Sequence, residues 1–149
     1  MSHYTLQKAN YSTLDKNIKV AIITAQFNLN YTQQLEDVNV DFLKNEGFEN
    51  IDTYQVPGAY EIPGLAKQIL EKNKADLIIC LGVVIKWDTP HFDYVCDHSA
   101  SGIMSLVTSY NTPIMNGILT CLNEQQVIER IKPVYSLSGL NTLVAYNQV

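Results

Sequence analysis

The stretch from residue 77 to residue 98 constrains the fold more than any other part of the chain. It begins with an apolar run, LIICLGVVI at positions 77–85. This run is rich in β-branched side chains and is shorter than a membrane span, so it predicts a strand buried on both faces of a sheet. A polar loop follows at 86–91, and a helical pattern starts at about Phe92. A buried strand that ends in a polar loop and feeds a helix is typical of ligand sites in open α/β sheets. His91, at this junction, is a residue type that exchanges protons near neutral pH, and a helix N-terminus attracts phosphate.

The composition indicates one folded domain over residues 1–149. The chain is 46% hydrophobic and carries a net charge of −5 without a basic cluster, which argues against nucleic acid or an anionic membrane as a partner. No signal peptide precedes the first predicted strand, and no apolar stretch approaches the roughly 20 residues of a membrane helix. Cys80, Cys96 and Cys121 lack the spacing of a redox or metal site, so we expect reduced thiols and a cytoplasmic protein. Residues 1–17 are expected to form an amino-terminal arm that is disordered, or ordered only against a partner.

Hydrophobic periodicity predicts strands and helices that alternate along the chain. Short links between them indicate right-handed βαβ units, and therefore a four-stranded parallel sheet with helices on both faces. The predicted strands are 19–24, 51–56, 77–85 and 113–119, and the predicted helices are 30–47, 60–72, 92–110, 123–130 and 139–147.

Local signals mark several of the helix ends. Asn30 and Asn123 are each followed three residues later by a glutamine, which resembles a capping box at a helix N-terminus. Gly47 fits the position just after a helix C-terminus. Pro133 is expected to interrupt the chain, so that the last helix is short.

The carboxyl ends of parallel strands lie at the same edge of a sheet, which brings together loops that are far apart in sequence. This edge should combine an aromatic ring (Phe27), a carboxylate (Glu61), a hydroxyl (Thr89), an imidazole (His91) and a guanidinium (Arg130). Such a set suits a planar heterocycle stacked on the ring, a polyol held by Glu61, and an anion held by Thr89 and Arg130.

Four of these residues also have a purely structural interpretation. Phe27 suits a core, Glu61 suits the dipole at a helix N-terminus, His91 with Asp93 suits a helix cap, and Arg130 suits a helix surface. The sequence contains no Gly-rich phosphate loop, no HExxH and no GxSxG, and nothing is spaced like a metal site. Spacing alone therefore indicates only an α/β domain with a small-molecule site at the strand ends.

Longer motifs make the prediction more specific. FN at 27–28, VPGAYEIP at 56–63, LGVVIKWDTPHFDYV at 81–95, and GILT with EQQVIER at 117–130 resemble the 6,7-dimethyl-8-ribityllumazine synthases of riboflavin biosynthesis. The resemblance extends from about Lys19 to the C-terminus. It implies a flavodoxin-like, three-layer α/β/α sandwich that forms homopentamers, or shells of sixty subunits in some members.

The resemblance also implies a reaction and a place for it. Members of this family are transferases that condense 5-amino-6-(D-ribitylamino)uracil with 3,4-dihydroxy-2-butanone 4-phosphate and release phosphate and water. The resemblance implies that the reaction uses no metal or organic cofactor. The site lies between neighbouring subunits. His91 is implied as the proton-transfer residue. The implied substrate-binding residues are Phe27, Asn28, Ala59, Tyr60, Glu61, Val84, Ile85, Asp88, Thr89, Asn116 and Arg130, the last two supplied by the neighbouring subunit.

Four positions depart from the family pattern. Gln26 replaces the usual arginine, and Trp87 the usual glycine. Asn116 stands where an apolar residue is usual, and Ser138 where a lysine is common; Lys132 is a nearby substitute for that lysine. These departures leave two alternatives to a synthase open: a non-catalytic relative that binds a lumazine or flavin, and a structural shell protein.

Overall fold

A computed structural model describes residues 5–149 of the chain. Its four strands form one parallel sheet in the order β2-β1-β3-β4, as expected for a flavodoxin-like α/β/α sandwich. The strands are β1 (Val20–Ala25), β2 (Ile51–Val56), β3 (Leu77–Ile85) and β4 (Ile114–Cys121). The helices are α1 (Leu29–Asn45), α2 (Ile62–Glu71), α3 (His91–Ser109), α4 (Glu124–Glu129) and α5 (Val134–Tyr146), with a 3₁₀ turn at Ala59–Glu61.

The apolar run that opened the sequence analysis is the inner strand β3, between β1 and β4. Its side chains alternate between two separate hydrophobic clusters. Ile78 and Cys80 pack with α2 and α3, whereas Leu77, Ile79 and Leu81 pack with α1 and α5. The run is unbroken because both faces of the strand are covered by helices.

The C-terminus of helix α1 lies where the sequence predicts it, but the N-terminus does not. Gly47 has a φ of +90°, and Phe48 N–H donates to the Leu43 carbonyl at 2.9 Å, which closes the helix in a Schellman motif. The predicted cap at Asn30 is wrong, because the helix begins at Leu29 after Asn28. Asn28 adopts the left-handed conformation with φ 62°. Its side chain does not cap the helix and instead donates to the backbone carbonyl of Val83.

Of the last two helices, α4 begins where the sequence predicts and α5 does not. The Asn123 cap is confirmed, since its side-chain oxygen accepts a hydrogen bond from Gln126 N–H at 3.0 Å. Helix α5, by contrast, begins at Val134 and not at Gly139. Pro133 stands at its N-cap, where a missing N–H costs no helical hydrogen bond, so the proline starts the helix and does not delay it.

The prediction that the amino-terminal arm is disordered, or ordered only against a partner, is wrong for residues 5–17. Tyr11 is only 4% exposed and contacts Phe48 edge-on. The Asn141 side-chain oxygen accepts hydrogen bonds from Ala9 N–H at 3.0 Å and from the Tyr11 hydroxyl at 2.7 Å. This segment is therefore tied to α5 of its own chain, while residues 1–4 of the predicted arm lie outside the described part. Within the described part, no helix has the length and apolar character needed to cross a membrane.

Candidate active site

A cavity of about 490 Å³ opens at the carboxyl ends of β1, β2 and β3, on the face of the sheet covered by α2 and α3. Its volume falls within the range of small-molecule sites. Most of its lining is apolar, with a carboxylate, an imidazole and three other aromatic rings at its wall. The lining residues are Phe27, Pro57, Gly58, Ala59, Tyr60, Glu61, Val83, Val84, Trp87, His91 and Val95.

Phe27 belongs to this cavity and not to the core. Its side chain is 63% exposed, and its N–H donates to the Pro57 carbonyl at 2.9 Å, which ties the end of β1 to the end of β2. The next residue, Asn28, donates from its side-chain nitrogen to the Val83 carbonyl at 2.9 Å. Phe27 is thus an exposed ring on a turn that two neighbouring strands hold in place, as expected of a stacking surface.

The PGAYE segment forms a second wall of the cavity. Gly58 N–H donates to Glu61 Oε2 at 3.0 Å, so this carboxylate does stabilise the start of the 3₁₀ turn, as its structural interpretation predicts. One oxygen serves that bond, and the other is available to a hydroxyl group of a ligand. Tyr60 beside it is 55% exposed, whereas Ala59 is buried against the sheet.

His91 is the first residue of α3 and its imidazole reaches the cavity. The interpretation of His91 and Asp93 as a cap is wrong, because no side chain of the described residues caps this helix. His91 is exposed, so the imidazole is accessible to a ligand at the N-terminus of a 19-residue helix. Val95, one turn later on the same helix face, also lines the cavity, and helical spacing from His91 was the signal that would have identified it.

Trp87 faces into the cavity. Its ring centroid lies 6.5 Å from that of Phe27 and 5.6 Å from that of His91. The indole N–H donates to Thr89 Oγ1 at 3.1 Å, and the Phe92 ring forms a T-shaped pair with the indole, with the ring centroids 6.0 Å apart. Trp87 therefore lies between Phe27 and His91, the two residues on which the predicted chemistry depends.

Comparison with known proteins agrees with this geometry. The family profile described as 6,7-dimethyl-8-ribityllumazine synthase matches residues 17–144. The chain belongs to this family. It is 43% identical over 115 residues to the 6,7-dimethyl-8-ribityllumazine synthase of Limosilactobacillus reuteri, an alignment that covers 77% of this chain and 76% of the relative.

Two further relatives carry the same name. The lumazine synthase of Campylobacter jejuni (strain 81-176) is 43% identical over 119 residues, covering 78% of this chain and 77% of its own. That of Desulfosudis oleivorans is 39% identical over 142 residues, covering 94% and 89% of the two chains. The lumazine synthases are transferases of riboflavin biosynthesis, so the chain is an enzyme of that class.

Not every residue implied by the lumazine synthase motifs lies at this cavity. Three of them, Ile85, Asp88 and Thr89, are close in sequence to lining residues but do not line the cavity themselves. Thr89 contacts the cavity wall indirectly, because its hydroxyl oxygen accepts the hydrogen bond from the Trp87 indole. Asn116 is an exposed residue of β4 whose side-chain oxygen accepts from Ile118 N–H at 3.0 Å, and it is not among the lining residues.

Arg130 lies on the other face of the sheet. Its Nη1 donates to the Gln126 carbonyl at 2.9 Å and lies 3.7 Å from a Glu129 carboxylate oxygen. Burial raises the pKa of the Cys121 thiol, and the positive charge of Arg130 offsets part of that rise. Burial and the neighbouring Cys121 raise the pKa of Tyr135, and the positive charge of Arg130 again offsets part of the rise. Cys121 and Tyr135 belong to the cluster on the α1/α5 face, whereas the cavity opens on the α2/α3 face.

The charges around the cavity are consequently unbalanced. No lysine or arginine of residues 5–149 lines it, and Glu61 supplies a negative charge. The N-terminus of α3 supplies partial positive charge next to His91. Ser138 is neutral, and Lys132 does not lie among the lining residues, so neither position supplies a cation to the cavity of its own chain.

Proposed function

We propose that this enzyme condenses 5-amino-6-(D-ribitylamino)uracil with 3,4-dihydroxy-2-butanone 4-phosphate to form 6,7-dimethyl-8-ribityllumazine, with release of phosphate and water. One observation carries the proposal: in a chain of this family, Phe27, Glu61 and His91 line a single cavity at the sheet edge. The cavity combines an aromatic surface, a hydroxyl-binding carboxylate and a proton-transfer group.

In this proposal the pyrimidine stacks on the exposed ring of Phe27. Asn28 holds that turn, and backbone groups of Ala59 and Tyr60 lie at the same wall, within reach of the ring edge. The free oxygen of Glu61 accepts hydrogen bonds from the ribityl hydroxyls. Backbone groups of Val84 and of Ile85, the next residue of β3, line the ring pocket in this proposal, and Val84 is one of the residues that line the cavity.

His91 transfers the protons. Formation of the imine between the substrate amine and the ketone requires loss of water, and elimination of phosphate requires removal of a proton next to the imine. An imidazole exchanges protons near neutral pH, which suits both steps. The remaining acceleration comes from holding the two substrates in reacting geometry, which is worth about 7–11 kcal/mol at best.

The phosphate binds at the N-terminus of α3, through backbone N–H groups near Asp88 and the Thr89 hydroxyl. The indole N–H uses the Thr89 oxygen as acceptor, which leaves the hydroxyl hydrogen free to donate to phosphate. We propose that the missing cation is Arg130 of a neighbouring copy, with Asn116 of that copy at the ring side. The site is then complete only in a cyclic homo-oligomer, and a homopentamer in the cytoplasm is the assembly proposed.

The test is formation of lumazine by the purified protein, followed by fluorescence. We expect His91→Ala to lower kcat roughly 100–10,000-fold, because the variant retains substrate alignment and loses only proton transfer. His98→Ala is the matched control: it is an exposed histidine of the same helix, packed against Tyr60 and Tyr94 outside the cavity lining. A wild-type rate no higher than the uncatalysed condensation would refute the proposal, and equal losses in the two variants would refute the role of His91.

A further inference from the structure

We propose that Trp87 is a specificity-determining residue that contacts the second ring of the heterocycle as it forms, so that the cavity binds a bicyclic pteridine more tightly than a monocyclic pyrimidine. The proposal rests on the proposed function and adds a residue that its residue set does not include. It begins with position: Trp87 lies between Phe27 and His91 along one wall of the cavity.

That position coincides with the place where the new ring closes. In the proposed function the pyrimidine stacks on the ring of Phe27, and His91 transfers protons to and from the reacting atoms. An aromatic group between them therefore faces the bond-forming end of the pyrimidine. The indole also leaves the cavity open, since about 490 Å³ remains with Trp87 in place.

Two contacts fix the orientation of the indole before any ligand arrives. The N–H donates to Thr89 Oγ1 at 3.1 Å, and the Phe92 ring supports the indole at an interplanar angle of 75°. Trp87 is half-buried and packs against the hydrophobic cluster on the α2/α3 face. A side chain restrained in this way presents its ring surface to a ligand at little cost in side-chain entropy.

The extra surface discriminates between substrate and product. A pyrimidine contacts Phe27, whereas a pteridine contacts both Phe27 and Trp87. The indole plane is tilted by 51° from the Phe27 ring, so a pteridine stacked on Phe27 meets the indole at an angle and not face to face. Tilted aromatic contacts of this kind alter affinity by about 2–13-fold. We therefore expect Trp87 to tighten lumazine binding about tenfold relative to the pyrimidine, and to slow release of the product.

The test compares dissociation constants of 6,7-dimethyl-8-ribityllumazine and of 5-amino-6-(D-ribitylamino)uracil alone, by calorimetry on the full chain. We expect Trp87→Gly to weaken lumazine binding about tenfold and pyrimidine binding no more than about twofold. Trp87→Phe keeps an aromatic ring and should stay within about threefold of wild type for both ligands. In the wild type, Trp87 is the single tryptophan, so lumazine should also quench its fluorescence.

Trp87→Leu keeps an apolar side chain at the cluster and removes only the aromatic surface, so it replaces the glycine variant if that variant does not fold. Phe92→Leu is the control for altered packing behind the indole, because Phe92 does not line the cavity. Equal weakening of both ligands, or none, in the glycine and leucine variants would overturn the inference while lumazine formation by the wild type stands. If the wild type forms no lumazine but binds it with the expected selectivity, the proposed function fails and the role of Trp87 is retained.

Discussion

Two substitutions, His91→Ala and Arg130→Ala, should each lower the activity of every site of the assembly, and a mixture of the two variants should regain activity. The reason is the arrangement of one chain. His91 lines a cavity on the α2/α3 face, whereas Arg130 lies with Cys121 and Tyr135 on the α1/α5 face. If a neighbouring copy completes the cavity, an intact His91 and an intact Arg130 can meet across the boundary between two differently altered chains.

The size of each effect follows from the contacts. Loss of a charge-assisted hydrogen bond to phosphate costs about 1.5–3 kcal/mol, so Arg130→Ala should lower kcat/KM for the butanone phosphate roughly 10–150-fold. In a ring assembled at random from equal amounts of the two variants, about a quarter of the boundaries pair an intact His91 with an intact Arg130. The mixture should therefore recover about a quarter of the wild-type rate.

The assay is lumazine formation after the two variants are unfolded together and refolded as a mixture. The matched control mixes His91→Ala with Glu61→Ala, two changes in the lining of the same chain's cavity. No boundary in that mixture restores a complete site, so its rate should not exceed the mean of the rates of the two separate variants. Recovery in the control, or none in the His91/Arg130 mixture, would refute the reasoning that two copies share the site.

Substitutions at four positions test other contacts. Glu61→Ala should raise KM for the pyrimidine and lower the melting temperature, since it removes the acceptor of Gly58 N–H, whereas Glu61→Gln should keep most of the stability, as thermal unfolding will show. Gly117→Ala should destabilise the fold by about 1–3 kcal/mol, because a Cβ would lie 2.6 Å from the Cys80 carbonyl oxygen; the melting temperature should fall by roughly 3–10 °C. Asn141→Ala should release the amino-terminal segment, which limited proteolysis would detect as faster cleavage before residue 17. Burial raises the pKa of the Cys80 thiol to about 12 from 9.0, so its contribution to stability is complete below pH 9 and is lost as the pH rises towards 12. Denaturant titrations from pH 8 to 11 should accordingly show a shallower alkaline loss in Cys80→Ala, and identical slopes would contradict this.

The sheet could be predicted from sequence because burial of a strand on both faces leaves a signal within the strand itself. The run at 77–85 and the breaks after it gave both the strand and the loop that carries His91. The cap at Asn123 could likewise be predicted, since donor and acceptor lie three residues apart. Parallel pairing then brought the strand ends to one edge, as topology requires.

The errors occurred where distant parts of the chain decide the local conformation. Asn28 is left-handed because its side chain reaches Val83, 55 residues away, and no local pattern shows that bond. The segment before residue 17 is ordered by Asn141, 132 residues from Ala9. The proximity of Trp87 to Phe27 was likewise absent from any local pattern, because only the fold brings these two rings close together.

The bond between Asn28 and Val83 has a consequence for how the enzyme meets its substrate. It pins the turn after β1 to the inner strand β3, so the ring of Phe27 is carried by the sheet and not by a free loop. A receptor whose stacking surface is preorganised during folding loses little motion when a ligand docks, and more of the interaction energy appears as affinity. Recognition of the first substrate should therefore resemble docking to a rigid template, and crystal structures with and without that ligand should superpose closely at this turn.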